Sequence, residues 1–193
     1  MGGFDIAQKF TAEWEGGLSD DAADHGGLTH YGVSIAFLSD LECSSRGAHL
    51  LRSLGVSPLP VTRKTIKSLT RNQAESIFRY EFWYKLNLDK LPVQVAVLLY
   101  DAAVNTGCLQ SVKLAQRGYN AAGVGTSIEV DGKLGPMTRK ALTEHNVKEV
   151  RQGILDAREI FYRDLVIKNP SQRVFFRGWL NRTDALRKYV ESL

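Results

Sequence analysis

A chain of 193 residues, 44% apolar and 24% charged, has the length and make-up of a globular protein with a sizeable core, which excludes a disordered or low-complexity chain. No run reaches the roughly 20 apolar residues that cross a bilayer. The most apolar stretch, residues 93–104, is interrupted by Gln94 and Asp101 and reads as a buried helix. The net charge of +4 and pI near 9.1 suit an anionic partner, but charge alone does not choose among nucleic acid, anionic lipid and bacterial wall.

The amino terminus has no basic segment followed by an apolar core, so no secretory signal is visible, and Ile6 stands where a myristoylation pattern wants Ser or Thr. Residues 4–14 carry Phe4, Ala7, Phe10 and Trp14 at helical spacing, with Asp5 and Gln8 placed as a capping box. Residues 15–32 are rich in glycine and aspartate. The Gly-Gly pairs at 16–17 and 26–27 predict two sharp turns with a small ribbon between them.

Helices are expected to resume after Ser34 as an N-cap and over residues 48–54, before a loop marked by Pro58 and Pro60. Thr70 with Gln73 opens a strong helix through Ala74, Ile77, Phe78, Phe82 and Trp83. Pro92 starts the buried helix, which Gly107 ends, and Leu109, Val112, Leu114, Ala115 and Tyr119 mark the next. A short helix is expected over 136–142. Asn146 and Glu149 read as a capping box for a long amphipathic helix broken at Asn169-Pro170, and residues 178–193 form a final helix with a basic face. Strand signals are sparse, so the class is mainly α. Cys43 and Cys108, far apart and outside metal-ligand spacing, read as core thiols of a chain made in a reducing compartment.

The chemistry concentrates in residues 15–32. A glycosidase needs a carboxylic acid to protonate the leaving oxygen and a second group to direct water or stabilise the cation. Glu15 follows an apolar helix ending in Trp14; a carboxyl against an aromatic wall loses hydration, which favours its protonated form. Asp24 lies in a polar turn whose amides could keep it ionised, and Thr29 offers a hydroxyl that could hold a water between the two. The bland reading stands beside this one: a glutamate before Gly-Gly is ordinarily a helix-end surface residue, and an aspartate in a glycine-rich turn is ordinarily turn chemistry. Asp21 fits a turn or capping role better than a second base. Tyr31 suits a sugar cleft and packing on a ribbon equally. His25 and His30 lack partners at metal spacing, so neither a metal nor another cofactor is expected. Asp101 and Asn105, four apart on the buried helix, share a face and need hydrogen-bond partners, which points to a structural tie ahead of substrate contact. Trp179 reads as core before glycan contact.

The run E-G-G-x-x-x-D-x-x-D-x-G-G-x-T-x-x-G, carried by Glu15, Asp21, Asp24, Gly26, Gly27, Thr29 and Gly32, resembles the signature of glycoside hydrolase family 108, the N-acetylmuramidases of phage endolysins and bacterial homologues. The resemblance continues through LTRNQAESIFRYEFWYKLNLDKLP (69–92) and DAAVNTG (101–107). Near the end, VDGKLGPMTRKAL (130–142) and RGWLNR (177–182) resemble a peptidoglycan-binding segment. It departs at Leu18 and Ala22, where the family commonly has an aromatic and a proline, and residues 42–60 are individual to this chain.

The resemblance implies a lysozyme-like helical domain over residues 1–112 with a small β-ribbon at its active site, and a helical peptidoglycan-binding segment over 113–193 packed on it. It implies cleavage of the β-1,4 bond between N-acetylmuramic acid and N-acetylglucosamine, with Glu15 as general acid and Asp24 and Thr29 supporting water and the transition state. Tyr31, Asp21 and Asn105 are the expected substrate contacts. With Asp24 orienting water, inversion is favoured, and the two carboxyls should then stand about 6.5–9.5 Å apart. The expected partner is bacterial peptidoglycan, attracted by Arg173, Arg177, Arg182, Arg187 and Lys188. Nucleic acid, stable membrane insertion and oligomers are not expected. A phage product made in the cytoplasm without a signal would reach the wall through a membrane-permeabilising partner such as a holin. The rival readings are a lytic transglycosylase, which has no need of a water-holding Asp and Thr, and a non-catalytic wall-binding protein.

Overall fold

The computed structural model describes residues 2–16 and 27–193. The chain divides into two compact units, Thr11–Glu81 and Met1–Phe10 with Phe82–Leu193. Among the described residues no helix is long and apolar enough to cross a membrane. Cys43 is exposed and Cys108 half-buried, so the expectation of core thiols fails for Cys43, and neither is part of a disulfide.

The smaller unit begins with the last turn of helix α1 (Gly3–Trp14) and contains an antiparallel ribbon of β1 (Thr29–His30) and β2 (Val33–Ser34), paired Thr29 to Ser34 and His30 to Val33. The ribbon follows the second Gly-Gly pair; the stretch between the two pairs, where the sequence predicts a ribbon, lies outside the described residues. Tyr31 and Gly32 both take positive φ, 50° and 79°, which makes the two-residue turn whose twist matches a hairpin. Ser34 then caps α2 (Ile35–Glu42), accepting from the Phe37 amide at 3.1 Å.

Residues 42–60 pack against the rest of this unit. Helix α3 (Ser45–Ser53) runs so close to α2 that a methyl group at Gly47 would meet the Leu41 carbonyl oxygen. Glu42 Oε2 accepts from the Val61 amide at 2.7 Å, and Thr65 Oγ1 donates to Pro58 O at 2.6 Å. Thr65 belongs to α4 (Arg63–Ser68), a helix the apolar pattern does not announce; its capping box of Thr62 and Thr65 is the local signal that was there to be read. The expected box of Thr70 and Gln73 opens α5 (Arg71–Phe78), and Gln73 Nε2 also donates to Leu54 O and Gly55 O, closing the end of α3. Leu28, Val33, Leu38, Leu51, Ile66 and Ile77 form the core.

The larger unit is built on α6 (Val93–Thr106), whose residues 95–103 are all buried. A helix apolar all round must be covered all round. Helices α7 (Cys108–Ala122), α9 (Lys148–Lys168) and α10 (Arg173–Glu191) pack on it, with α8 (Pro136–Glu144) on α7. Phe4, Trp83 and Tyr100 meet edge to face at 5.5–5.8 Å. The Tyr100 hydroxyl donates to Gln8 Oε1 inside this cluster, so Gln8 is a buried acceptor and not part of the expected capping box; Asp5 alone reaches back, to the Gly2 amide at 3.1 Å. The capping box expected of Asn146 and Glu149 is also absent. Val147 is the N-cap of α9, while Asn146 donates to Gln94 and accepts from Arg151.

Helices α7 and α9 touch backbone to backbone, since a methyl group at Gly153 would fall 2.4 Å from Gly118 O. The segment 130–142 is organised by buried Gln116, which donates to Asp131 Oδ1, Lys133 O and Thr138 Oγ1 at 2.8–3.2 Å and accepts from the Gly132 amide. The Gln116 and Lys133 donors hold the Asp131 carboxyl below the usual range.

Candidate active site

Glu15 closes α1: its amide donates to Thr11 O at 3.1 Å, and its side chain is half-buried. Trp14, before it, is 37% exposed. The Glu15 side chain lies along the backbone of the hairpin turn, where a methyl group at Gly32 would sit 2.8 Å from Oε2, 2.9 Å from Cβ and 3.0 Å from Cγ. Real carbon contacts do not come so close. The turn and the acid therefore fit only because position 32 has no side chain.

The ribbon is held firmly around that contact. The Tyr31 ring stacks on His30 at 3.9 Å with 21° between planes, and the Arg71 guanidinium stands 5.1 Å from its centroid. His30 Nδ1 lies 3.1 Å from Ile66 O, so a carbonyl, which can only accept, sets Nδ1 as the protonated nitrogen. Thr29 Oγ1 donates to Gly27 O at 3.2 Å. Having spent its one proton there, the hydroxyl offers the site only lone pairs. Glu15, Thr29 and Tyr31 thus belong to one small structure, with Gly32, which the motif carried without a role, and Arg71, which residue-by-residue reading missed. Asp21, Asp24 and His25 lie outside the described residues. Among the described residues no group of His, Cys, Asp and Glu is placed to hold a metal ion.

The other two polar candidates sit on α6, in the larger unit. Asp101 is fully buried and paired twice, with Arg158 Nη1 at 2.6 Å and Arg182 Nη2 at 2.7 Å. Burial pushes its carboxyl up, but Arg182 and Arg158 pull harder, and the pKa falls to about 2. The same carboxylate raises the Arg158 pKa against the cost of burial. Asp101 therefore ties α6 to α9 and α10. Arg182 is 6% exposed, which removes it from the expected basic surface, and Arg187 is engaged by Asp156 and Glu159; Arg173, Arg177 and Lys188 remain exposed. The sequence did carry a signal for Arg158: it falls on the apolar stripe of α9 between Ile154 and Tyr162, where a cation needs a buried partner. Asn105, one turn beyond Asp101, is exposed, and its Oδ1 accepts from the Tyr162 hydroxyl at 2.5 Å. Trp179 is half-buried and stacks on Tyr162 at 4.9 Å.

A mainly α, lysozyme-like fold with a glutamate seated against a short hairpin defines the class. The chain belongs to the family described as Glycosyl hydrolase 108, whose model matches residues 8–107, and a second model, Predicted Peptidoglycan domain, matches residues 110–184. Together they make this a glycoside hydrolase acting on cell-wall peptidoglycan. Among solved structures, the chain is similar to that titled "Structure of Brucella abortus SagA", at 25% identity and a TM-score of 0.76, covering 98% of this chain and 94% of that one. No curated protein gives a significant match.

Proposed function

We infer that this chain is an N-acetylmuramidase that hydrolyses the β-1,4 bond between N-acetylmuramic acid and N-acetylglucosamine, with Glu15 as its general acid. The observation that carries this is the seating of the Glu15 carboxyl on the backbone at Gly32. A general acid must hold its place, and the contact with the turn serves that need.

Thr29, with its proton directed to Gly27 O, is suited to accept a hydrogen from the attacking water. Asp24 is the second carboxylate: it takes that water's other proton while Glu15 protonates the leaving oxygen, and attack from the opposite face of the sugar inverts the anomeric centre. Tyr31 and Asp21 are the sugar-binding residues of this reading. Residues 1–112 carry the chemistry and 113–193 the hold on the wall.

Digestion of purified peptidoglycan tests the assignment. The wild type should release reducing ends; 1,6-anhydro ends would overturn it in favour of a transglycosylase. Glu15→Gln keeps the shape without the proton and should lower the rate at least 10²-fold, and Asp24→Asn by a similar factor. Loss of turbidity that survives Glu15→Gln would sink the general-acid role. Proton NMR of the first product formed distinguishes inversion from retention.

A further inference from the structure

The buried network around Asp101 ends on an exposed amide, and its donors can be followed from one end to the other. Arg158, 2% exposed, donates through Nη1 to Asp101 Oδ2 at 2.6 Å and through Nε to the Tyr162 oxygen at 2.8 Å. A guanidinium has donors only, so the phenol oxygen is the acceptor of that bond. The single phenol proton then goes to the remaining partner, Asn105 Oδ1, at 2.5 Å. With the amide turned over, Nδ2 would face the phenol and a buried proton would have no acceptor. Burial pushes the Tyr162 phenol up, against the pull of Arg158, so the proton is present throughout the neutral range. Trp179, stacked on the ring, holds the phenol in line, and Arg182 anchors Asp101 from the other side. The Asn105 amide is therefore set one way: Oδ1 inward, and Nδ2 outward from an exposed residue at the end of α6.

We propose that Asn105 reads the substrate as a hydrogen-bond donor, its Nδ2 offered to an acetamido carbonyl oxygen of the glycan, and that Tyr162 is the residue that positions it. Both sugars of the repeating unit carry an acetamido group, whose carbonyl is a neutral acceptor matched to a neutral donor. The carboxylates of the wall have the exposed guanidinium groups of Arg173 and Arg177 to go to. Asn105 lies in the segment matched by the hydrolase family and Tyr162 in that matched by the peptidoglycan domain. The second segment thus sets what the first can recognise. The proposal rests on the reading that the substrate is an N-acetylated glycan.

The test is a titration of the 15N-labelled Glu15→Gln chain with chitotetraose and with cellotetraose, which is equally neutral but carries hydroxyls in place of the acetamido groups. The Asn105 side-chain amide signals should shift with chitotetraose and not with cellotetraose. Adding Tyr162→Phe should weaken chitotetraose about 3- to 10-fold and leave cellotetraose unchanged. Equal shifts with both sugars, no shift with either, or a Tyr162→Phe loss of the same size for both would overturn the proposal. Binding is read without cleavage, so the result does not depend on whether Glu15 is the acid. An inactive wild type in the peptidoglycan digest removes the muramidase reading alone, while an active one showing no acetamido preference in the titration removes this proposal alone.

Discussion

The backbone of Gly32 stands so close to Glu15 that a methyl group there would lie 2.8 Å from the carboxyl oxygen. Gly32→Ala should therefore move the acid as well as strain a residue at φ 79°. With Glu15 as the proposed general acid, the expected outcome is a fall in kcat of about 10²-fold, in line with an ångström-scale displacement of such a group, with KM little changed. A loss of stability of more than about 1 kcal/mol should accompany it. Steady-state kinetics on peptidoglycan beside a thermal melt checks both. An alanine variant with full activity would show that the carboxyl has room to spare.

Asp101 is a buried carboxylate that pairs with two buried guanidinium groups. Asp101→Asn removes that charge from beside Arg158 and Arg182, and should cost about 3–5 kcal/mol by urea denaturation. Replacing Asp101 together with Arg158 by apolar residues of similar volume should cost less than the single change.

The same carboxylate makes stability depend on pH. Its pKa falls from 3.8 to about 2 on folding, so its contribution is fully present above about pH 4 and is lost as pH drops through 2. The shift corresponds to about 2 kcal/mol. Urea midpoints measured from pH 5 down to pH 2 should fall more steeply for the wild type than for Asp101→Asn. Parallel curves would place the acid sensitivity elsewhere.

The chain cannot be cut at residue 112 and leave a working half. Removing 113–193 would strip Arg158, Arg182 and Tyr162 from α6 and expose the side of a helix that is buried on every face. A 1–112 fragment should be insoluble or lack a cooperative melt, as circular dichroism and sedimentation will tell. A folded, active fragment would establish two independent modules.

The spacing of apolar residues and the caps at Ser34, Thr70 and Gly107 carried most of the helical architecture, because each is settled within one turn of chain. Asn146 and Gln8 misled for the opposite reason. Both have the right chemistry at a helix start, but each is taken by a partner 52 and 92 residues away, and only the folded chain brings those together. At the site, the motif carried Glu15, Thr29 and Gly32, and Tyr31 beside it suited a sugar cleft and packing equally. The motif did not reveal that Gly32 is the surface against which the acid rests, since a missing side chain leaves no chemical trace in a sequence. Cys43 was judged by its usual burial, and sits exposed on the short turn after α2.

The crossing of α7 and α9 at Gly118 and Gly153 has a genetic consequence. Every coding change that replaces a glycine adds at least a methyl group, and at these two positions the space it would need holds the other helix's backbone, 2.3–2.4 Å away. Most surface positions can drift through neutral variants; these two have none, not even alanine. A random-mutation library selected for wall lysis should keep both codons as glycine, while the exposed Ile160 on the same helix varies freely.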